Sequence, residues 1–233
     1  MNFKNMLDEK YTLAVSLPQN SPELAMAAIR GGADALKIHI NAEHRASGTV
    51  FKKLKEDMKN IQEILKIAEQ KPTGIVLGGD ITYPIEDLYE VAEMGFDFIS
   101  LYAHHAKTEV LRYDKIDKML APDYTYDMNM IRVFAKLEID ILEASIMPPE
   151  EYGLPLTARD LMRYKIIREN TTLPIVIPTQ KYIYPSDILK LKEIGMNGIL
   201  IGAIVMGKDK KTIYETVQAF RKSIDIVNLG IEK

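Results

Sequence analysis

Eight short apolar runs, each followed by a stretch with helical spacing, recur along the 233 residues of this chain. No other feature restricts its fold so far. The sequence predicts strands near Thr12–Leu17, Ala33–Ile40, Gly74–Leu77, Phe96–Tyr102, Lys118–Ala121, Asp140–Ile146, Pro174–Pro178 and Gly198–Ile201. Helices are predicted over Pro22–Arg30, Val50–Gln70, Ile85–Met94, Val110–Ile116, Asp127–Leu137, Ala158–Glu169, Pro185–Ile194 and Lys210–Val227. Alternating strands and helices imply a parallel sheet with right-handed crossovers. Eight such units predict closure into an α/β (β/α)8 TIM barrel, a single domain over residues 1–233. That length is near the ~250 residues usual for such a barrel.

Local signals agree with these boundaries. Ser21-Pro22 places a capping serine ahead of proline at the first helical position. Gly31-Gly32, Gly95 and Gly195 stop helices just before strands. In the last helix, Ile213, Val217, Phe220, Ile224 and Val227 fall on one face, a strip that can cover the barrel. Pro122 cuts the fifth strand short.

Composition narrows the function classes. A net charge of −3 with no long block of one sign argues against a nucleic-acid surface or an anionic-membrane anchor. No apolar run approaches the ~18 residues of a membrane span. Met1–Met6 lacks the apolar core of a signal peptide. The absence of cysteine excludes disulfides, thiolate catalysis and cysteine metal sites, and fits a reducing cytoplasm. Only four histidines are present, which limits metal hypotheses further. No metal site is expected, and no cofactor.

Strand alternation then sorts side chains between the helix layer and the lumen. In the second strand Leu36, Ile38 and Ile40 suit the helix layer, which sends Lys37 and His39 inward. In the sixth, Ile141, Glu143 and Ser145 face inward. Lys37 and Glu143 could therefore meet across the lumen, as a structural ion pair or as an acid/base couple. Lys37 is also a candidate for a Schiff base with a carbonyl substrate. Ser100, Tyr102 and His104 share the inward face of the fourth strand, with His104 at the mouth. A metal at His104-His105 is disfavoured because neighbouring strand residues point opposite ways. Asp80, after Gly78-Gly79, is a base, a hydroxyl binder or a turn residue.

An anion site is expected where the seventh and eighth strands end. Barrels of this kind commonly hold phosphate there. Gly202 lets backbone approach an anion, and the amides of Gly202 and Ala203 are the expected donors. Thr179, Gln180 and Lys181 lie in the loop after the seventh strand, within reach of the same group. Arg45, with a helix start at Ser47-Gly48-Thr49, could clamp an anionic group; the alternative is a solvated loop with Thr49 as the helix cap.

Two stretches carry a resemblance: Gly95-Phe96-Asp97-Phe98-Ile99-Ser100-Leu101 and Met196-Asn197-Gly198-Ile199-Leu200-Ile201-Gly202-Ala203-Ile204. With the spacing of the whole chain, they resemble phosphate-binding, ribulose-phosphate-binding-type TIM barrels, distantly N-acetylmannosamine-6-phosphate 2-epimerase. The resemblance implies that Gly202 and Ala203 hold phosphate through their amides. It also implies a catalytic lysine ending the third strand and a glutamate followed by glycine after the seventh. This chain has Leu77-Gly78-Gly79 and Thr179-Gln180 there, so the epimerase activity is not carried over. The opening from Ala25 to Ile40 is also faintly similar to the copper-homeostasis barrels.

These readings converge on a cytoplasmic barrel enzyme that acts on a small phosphorylated metabolite, as an isomerase, epimerase or lyase. Lys37, His39, Glu143 and Asp80 are its candidate catalytic groups. A non-catalytic phosphometabolite-binding barrel and a metal-assisted enzyme using Asp80, His104 or Glu143 are the alternatives. A homo-oligomer is compatible with either.

Overall fold

The computed structural model describes residues 1–230; the last three residues of the expected 1–233 domain lie outside the described residues. Eight strands form a closed barrel: β1 (Thr12–Ser16), β2 (Ala35–His39), β3 (Thr73–Val76), β4 (Phe98–Tyr102), β5 (Asp117–Ala121), β6 (Ile141–Glu143), β7 (Ile175–Pro178) and β8 (Gly198–Ile201). All neighbours run parallel in chain order, and β8 returns to β1 through pairs such as Thr12 with Gly198. The ladder sets Ser16 beside Lys37 and Glu143 beside Val176.

The helices are α1 (Phe3–Glu9), α2 (Pro22–Gly31), α3 (Leu54–Ala68), α4 (Glu86–Glu93), α5 (Thr108–Arg112), α6 (Met128–Phe134), α7 (Ala158–Glu169), α8 (Ile188–Glu193), α9 (Ala203–Met206) and α10 (Lys210–Asn228). Gly32 ends α2 with φ 103°, a left-handed turn that a side chain would strain. Ser21 precedes α2 but makes no side-chain cap bond, contrary to the expected cap. Thr157 does cap α7, exchanging bonds with Asp160 in a capping box. No helix among the described residues is long and apolar enough to cross a membrane.

The apolar core lies in two layers. Leu36, Ile38 and Ile40 pack outward with Leu24, Ile61, Val217 and their neighbours on the helices. A smaller cluster fills the lower lumen: Phe3, Leu7, Ala14, Ala35, Phe98, Met119, Ile141, Val176 and Leu200. Phe3 and Leu7 come from α1, which the sequence pattern does not reveal. The Phe3 ring stacks on Phe98 with centroids 4.6 Å apart. Burying the two side chains contributes roughly 1.5–3 kcal/mol each. The N-terminal end of the barrel is thus plugged, and polar inward residues gather at the other end.

One segment departs from the expected pattern. The predicted helix from Val50 begins at Leu54, after Lys53, with no side-chain cap. Thr49-Val50 instead pairs antiparallel with Glu43-His44 as a small hairpin, so Thr49 is not a cap. The turn of that hairpin carries Arg45 and Ser47.

Candidate functional site

Residues above the plug open into a cavity of about 470 Å³ at the C-terminal mouth. Its floor is set by alternation. Ser16, Lys37, Ser100 and Glu143 sit one step above Ala14, Ala35, Phe98 and Ile141, which are apolar. Lys37 Nζ lies 2.8 Å from Glu143 Oε2, and both side chains are buried. Ser100 donates its hydroxyl to the same Oε2 at 3.0 Å, and Lys37 Nζ lies 3.5 Å from Ser100 Oγ. Every one of these contacts uses Oε2, which leaves Oε1 of Glu143 for a ligand. A buried pair with one carboxylate oxygen uncommitted is chemically different from a sealed structural ion pair.

His39 is two residues further along β2 and also lines the cavity. Its ring packs on Phe51 at 4.7 Å and on His44 at 4.6 Å. Burial, with the charges of His44 and Lys37 nearby, holds its pKa well below the usual histidine range. His44 follows the same logic: burial first, then Lys37, lowers it to about 4, against a smaller raising effect of Glu143. His44 Nδ1 is 2.9 Å from Ser47 Oγ, which fixes the ring.

A second network lines the opposite wall. The Tyr102 and Ser145 hydroxyls share a hydrogen bond of 2.9 Å. Gln180 Nε2 donates to Ser145 Oγ at 2.9 Å and to the Tyr152 hydroxyl at 2.6 Å. Its Oε1 accepts from the Met147 amide at 3.0 Å. All the hydrogen-bonding groups of the Gln180 amide are therefore engaged within the protein. Burial, then Tyr152, raises the Tyr102 phenol, so it stays protonated and donates or accepts as a neutral group.

At the expected anion site, the Gly202 amide donates to Thr179 Oγ1 at 2.9 Å. Gly202 and Thr179 line the cavity, and α9 starts immediately after, at Ala203. In many barrels a short extra helix occupies this position after the eighth strand. The first amides of a helix have no partner within it, so those of Ala203 and Ile204 are the donors left at this corner. Arg45 lines the rim from the hairpin, its guanidinium 6.0 Å from the Tyr152 ring centroid.

Two expected site residues, Lys181 and Asp80, lie differently, while His104 is at the mouth as expected. Lys181 does not line the cavity. Its ammonium is buried 2.7 Å from Glu151 and 3.5 Å from Asp160, so two carboxylates hold it where a phosphate was expected. Asp80 is exposed and bonds the Thr82 amide and hydroxyl, each at 2.6 Å, which makes it a turn residue. The Thr82 side chain and amide keep its carboxyl below the usual range. His104 is at the mouth, half-exposed, 3.7 Å from Asp123. His105 also reaches the cavity, with the two rings 4.1 Å apart. Strand alternation ends at Tyr102, and a turn bond from the His105 amide to the Tyr102 carbonyl brings both rings to one side. Even so, no group of three metal-ligating side chains converges among the described residues.

Sequence reasoning missed Ser16, His44 and Tyr152 as lining residues. Ser16 was readable from alternation along β1. The others come from loops, where period carries no information.

No protein-family model matches the chain, and no curated protein matches it in sequence. Solved structures match in fold. The chain is similar to thiamine phosphate pyrophosphorylase from Pyrococcus furiosus, with 18% identity, TM-score 0.68, and 97% of this chain and 99% of that one covered. It is also similar to tryptophan synthase of Mycobacterium tuberculosis, with 9% identity, TM-score 0.70, and 96% and 98% covered. At these identities the likeness is one of fold.

Proposed function

We propose that this chain is a cytoplasmic enzyme that acts on a small phosphorylated metabolite by moving a proton, as an isomerase, epimerase or lyase. The observation that carries the reading is the buried Lys37–Glu143 pair, open to the cavity through Glu143 Oε1. A buried ion pair is often no more stabilising than an apolar pair of the same volume. Charge at the floor of a barrel mouth, where catalytic residues of such folds lie, is best understood as chemistry. Glu143 takes the role of base and Lys37 that of the group that orients it and balances its charge. A Schiff base on Lys37 would require this ion pair to open first.

Phosphate recognition is supported by α9 after β8, by the amides of Ala203 and Ile204, and by Arg45 on the hairpin. The Pyrococcus relative in fold carries a phosphorylated compound in its name. Thermal-shift screening against phosphorylated sugars and related metabolites tests the ligand class. Solvent deuterium uptake into any member that binds then tests the chemistry. A panel with no stabilising member would sink the reading. Binding without deuterium uptake or turnover would instead favour a phosphometabolite-binding barrel without catalysis.

A further inference from the structure

His39 is held from three sides. Its amide donates to Asn20 Oδ1 at 3.3 Å, and its carbonyl accepts from Asn20 Nδ2 at 2.7 Å. The same Asn20 Nδ2 donates to Asp57 Oδ2 at 2.8 Å. The ring is wedged between Phe51 and His44. Its Nδ1 is buried with no hydrogen-bond partner. His39 nonetheless lines the cavity, so Nε2 is the ring nitrogen through which it can meet a ligand.

The proton of a neutral imidazole must sit on one of these nitrogens. A buried N–H with no acceptor is among the rarest features of folded proteins, whereas an under-used acceptor is tolerated more often. Nδ1 is therefore the bare nitrogen and Nε2 carries the hydrogen. An imidazolium would strand a second N–H in the same sealed spot, beside the Lys37 ammonium. Burial and the neighbouring charges push in the same direction.

We propose that His39 is a neutral hydrogen-bond donor whose Nε2–H holds the carbonyl oxygen of the substrate, which makes that substrate a phosphorylated aldehyde or ketone. The inference rests on the proton-transfer reading above and deepens it. Glu143 Oε1 takes the proton from the carbon beside the carbonyl. The C–H electron pair becomes the carbon–carbon double bond, and the carbonyl π pair moves onto oxygen. The His39 N–H stabilises that developing negative charge and keeps its proton, as neutral imidazoles can. Return of the proton from Glu143 to the former carbonyl carbon, while the proton of the adjacent hydroxyl passes to the oxyanion, completes an aldehyde–ketone isomerisation.

The test has two arms. The first is the 15N spectrum of the imidazoles in the ligand-free protein, with His39 assigned through His39→Phe. The proposal expects one protonated Nε2 and one bare Nδ1, unchanged between about pH 8 and pH 5. A protonated Nδ1, or an imidazolium in that range, overturns it. The second arm titrates 2-phosphoglycolate, whose carboxylate stands in for the oxyanion. His39→Phe keeps the stacked ring and removes the donor, so its affinity should fall about tenfold, the worth of one hydrogen bond. His39→Gln restores an N–H near the Nε2 position and should recover most of that loss. Equal affinity of His39→Phe and wild type overturns the oxygen contact. If neither 2-phosphoglycolate nor any member of the phosphorylated panel binds wild type, the phosphorylated-substrate reading fails, while the spectrum still decides the state of His39.

Discussion

Lys37 and Glu143 are 106 residues apart in the chain, yet Nζ and Oε2 stand 2.8 Å apart over the Phe98 layer of the lumen. The barrel supplies that meeting by putting β2 and β6 on opposite walls. Removing one partner should strand a buried charge and cost ~3–5 kcal/mol. Lys37→Met or Glu143→Gln alone should therefore lower the urea midpoint, and the double variant should recover part of the loss. Additive losses in the cycle would show that the pair is not coupled. Any variant that stays folded should lose deuterium exchange while still binding a phosphorylated ligand.

Gly202 tolerates a methyl group better than its place at the site suggests. An added Cβ would meet Thr179 Oγ1 at 3.8 Å and Ser16 Cβ at 3.9 Å, ordinary contact distances. Gly202→Ala should keep the melting temperature close to wild type. Gly202→Leu should fill the corner between Thr179 and Ser16 and abolish binding of a phosphorylated metabolite. Calorimetric titration that shows unchanged affinity in Gly202→Leu would remove this corner from the site.

The two buried imidazoles predict acid sensitivity. His44 has a folded pKa of about 4, below its ordinary 6.5, and His39 is lowered too. A lowered histidine pKa means that the unfolded chain binds the proton first. Stability should be full above pH 6.5, fall as pH drops from there toward 4, and gain no further loss from His44 below that. Urea midpoints across this range should show a shallower fall for His44→Gln. Parallel curves for the two proteins would refute the assignment.

At the other end of the barrel, a Cβ on Gly74 would lie 2.1 Å from Phe98 Cε2. Gly74→Ala should displace the Phe3–Phe98 stack and cost ~1–3 kcal/mol of overpacking strain. Near-ultraviolet signals of the phenylalanines, read beside the denaturation curve, would register the move. A variant as stable as wild type would mean that the stack shifts freely.

Lys181 offers the reverse case, a residue beside the site with no access to it. Lys181→Met should destabilise the fold, toward the lower end of the ~3–5 kcal/mol for a broken buried pair. The reason is that Arg163 remains 3.7 Å from Asp160. Ligand affinity should be unchanged in the folded variant. A large affinity loss would return Lys181 to the anion site.

The strands were legible because β-branched runs and period-two alternation report burial directly. That logic puts Lys37, His39, Ser100, Tyr102 and Glu143 into the lumen, and all five line the cavity. It failed where the chain leaves regular structure. Thr49 looked like a helix cap because polar residues precede an amphipathic pattern, but the hairpin pairing with His44 took it instead. Lys181 and Asp80 sat at the right end of the right strands. Their partners, Glu151, Asp160 and Thr82, were decided by loop conformation, on which periodicity is silent. The first helix escaped because Phe3 and Leu7 alone, one turn apart, make too short a pattern to read.

Because Phe3 and Leu7 stopper the base of the barrel, the chamber opens, among the described residues, at the far mouth, and the hairpin bearing Arg45 stands beside that doorway. Traffic through that doorway is necessarily two-way. A product must depart past the same hairpin before a fresh molecule can enter, so the two compete for one threshold. On the proposed function, turnover is then set by departure as much as by proton transfer. On the same reading, the grip of Arg45 on an outgoing anion is a brake as well as an aid to capture.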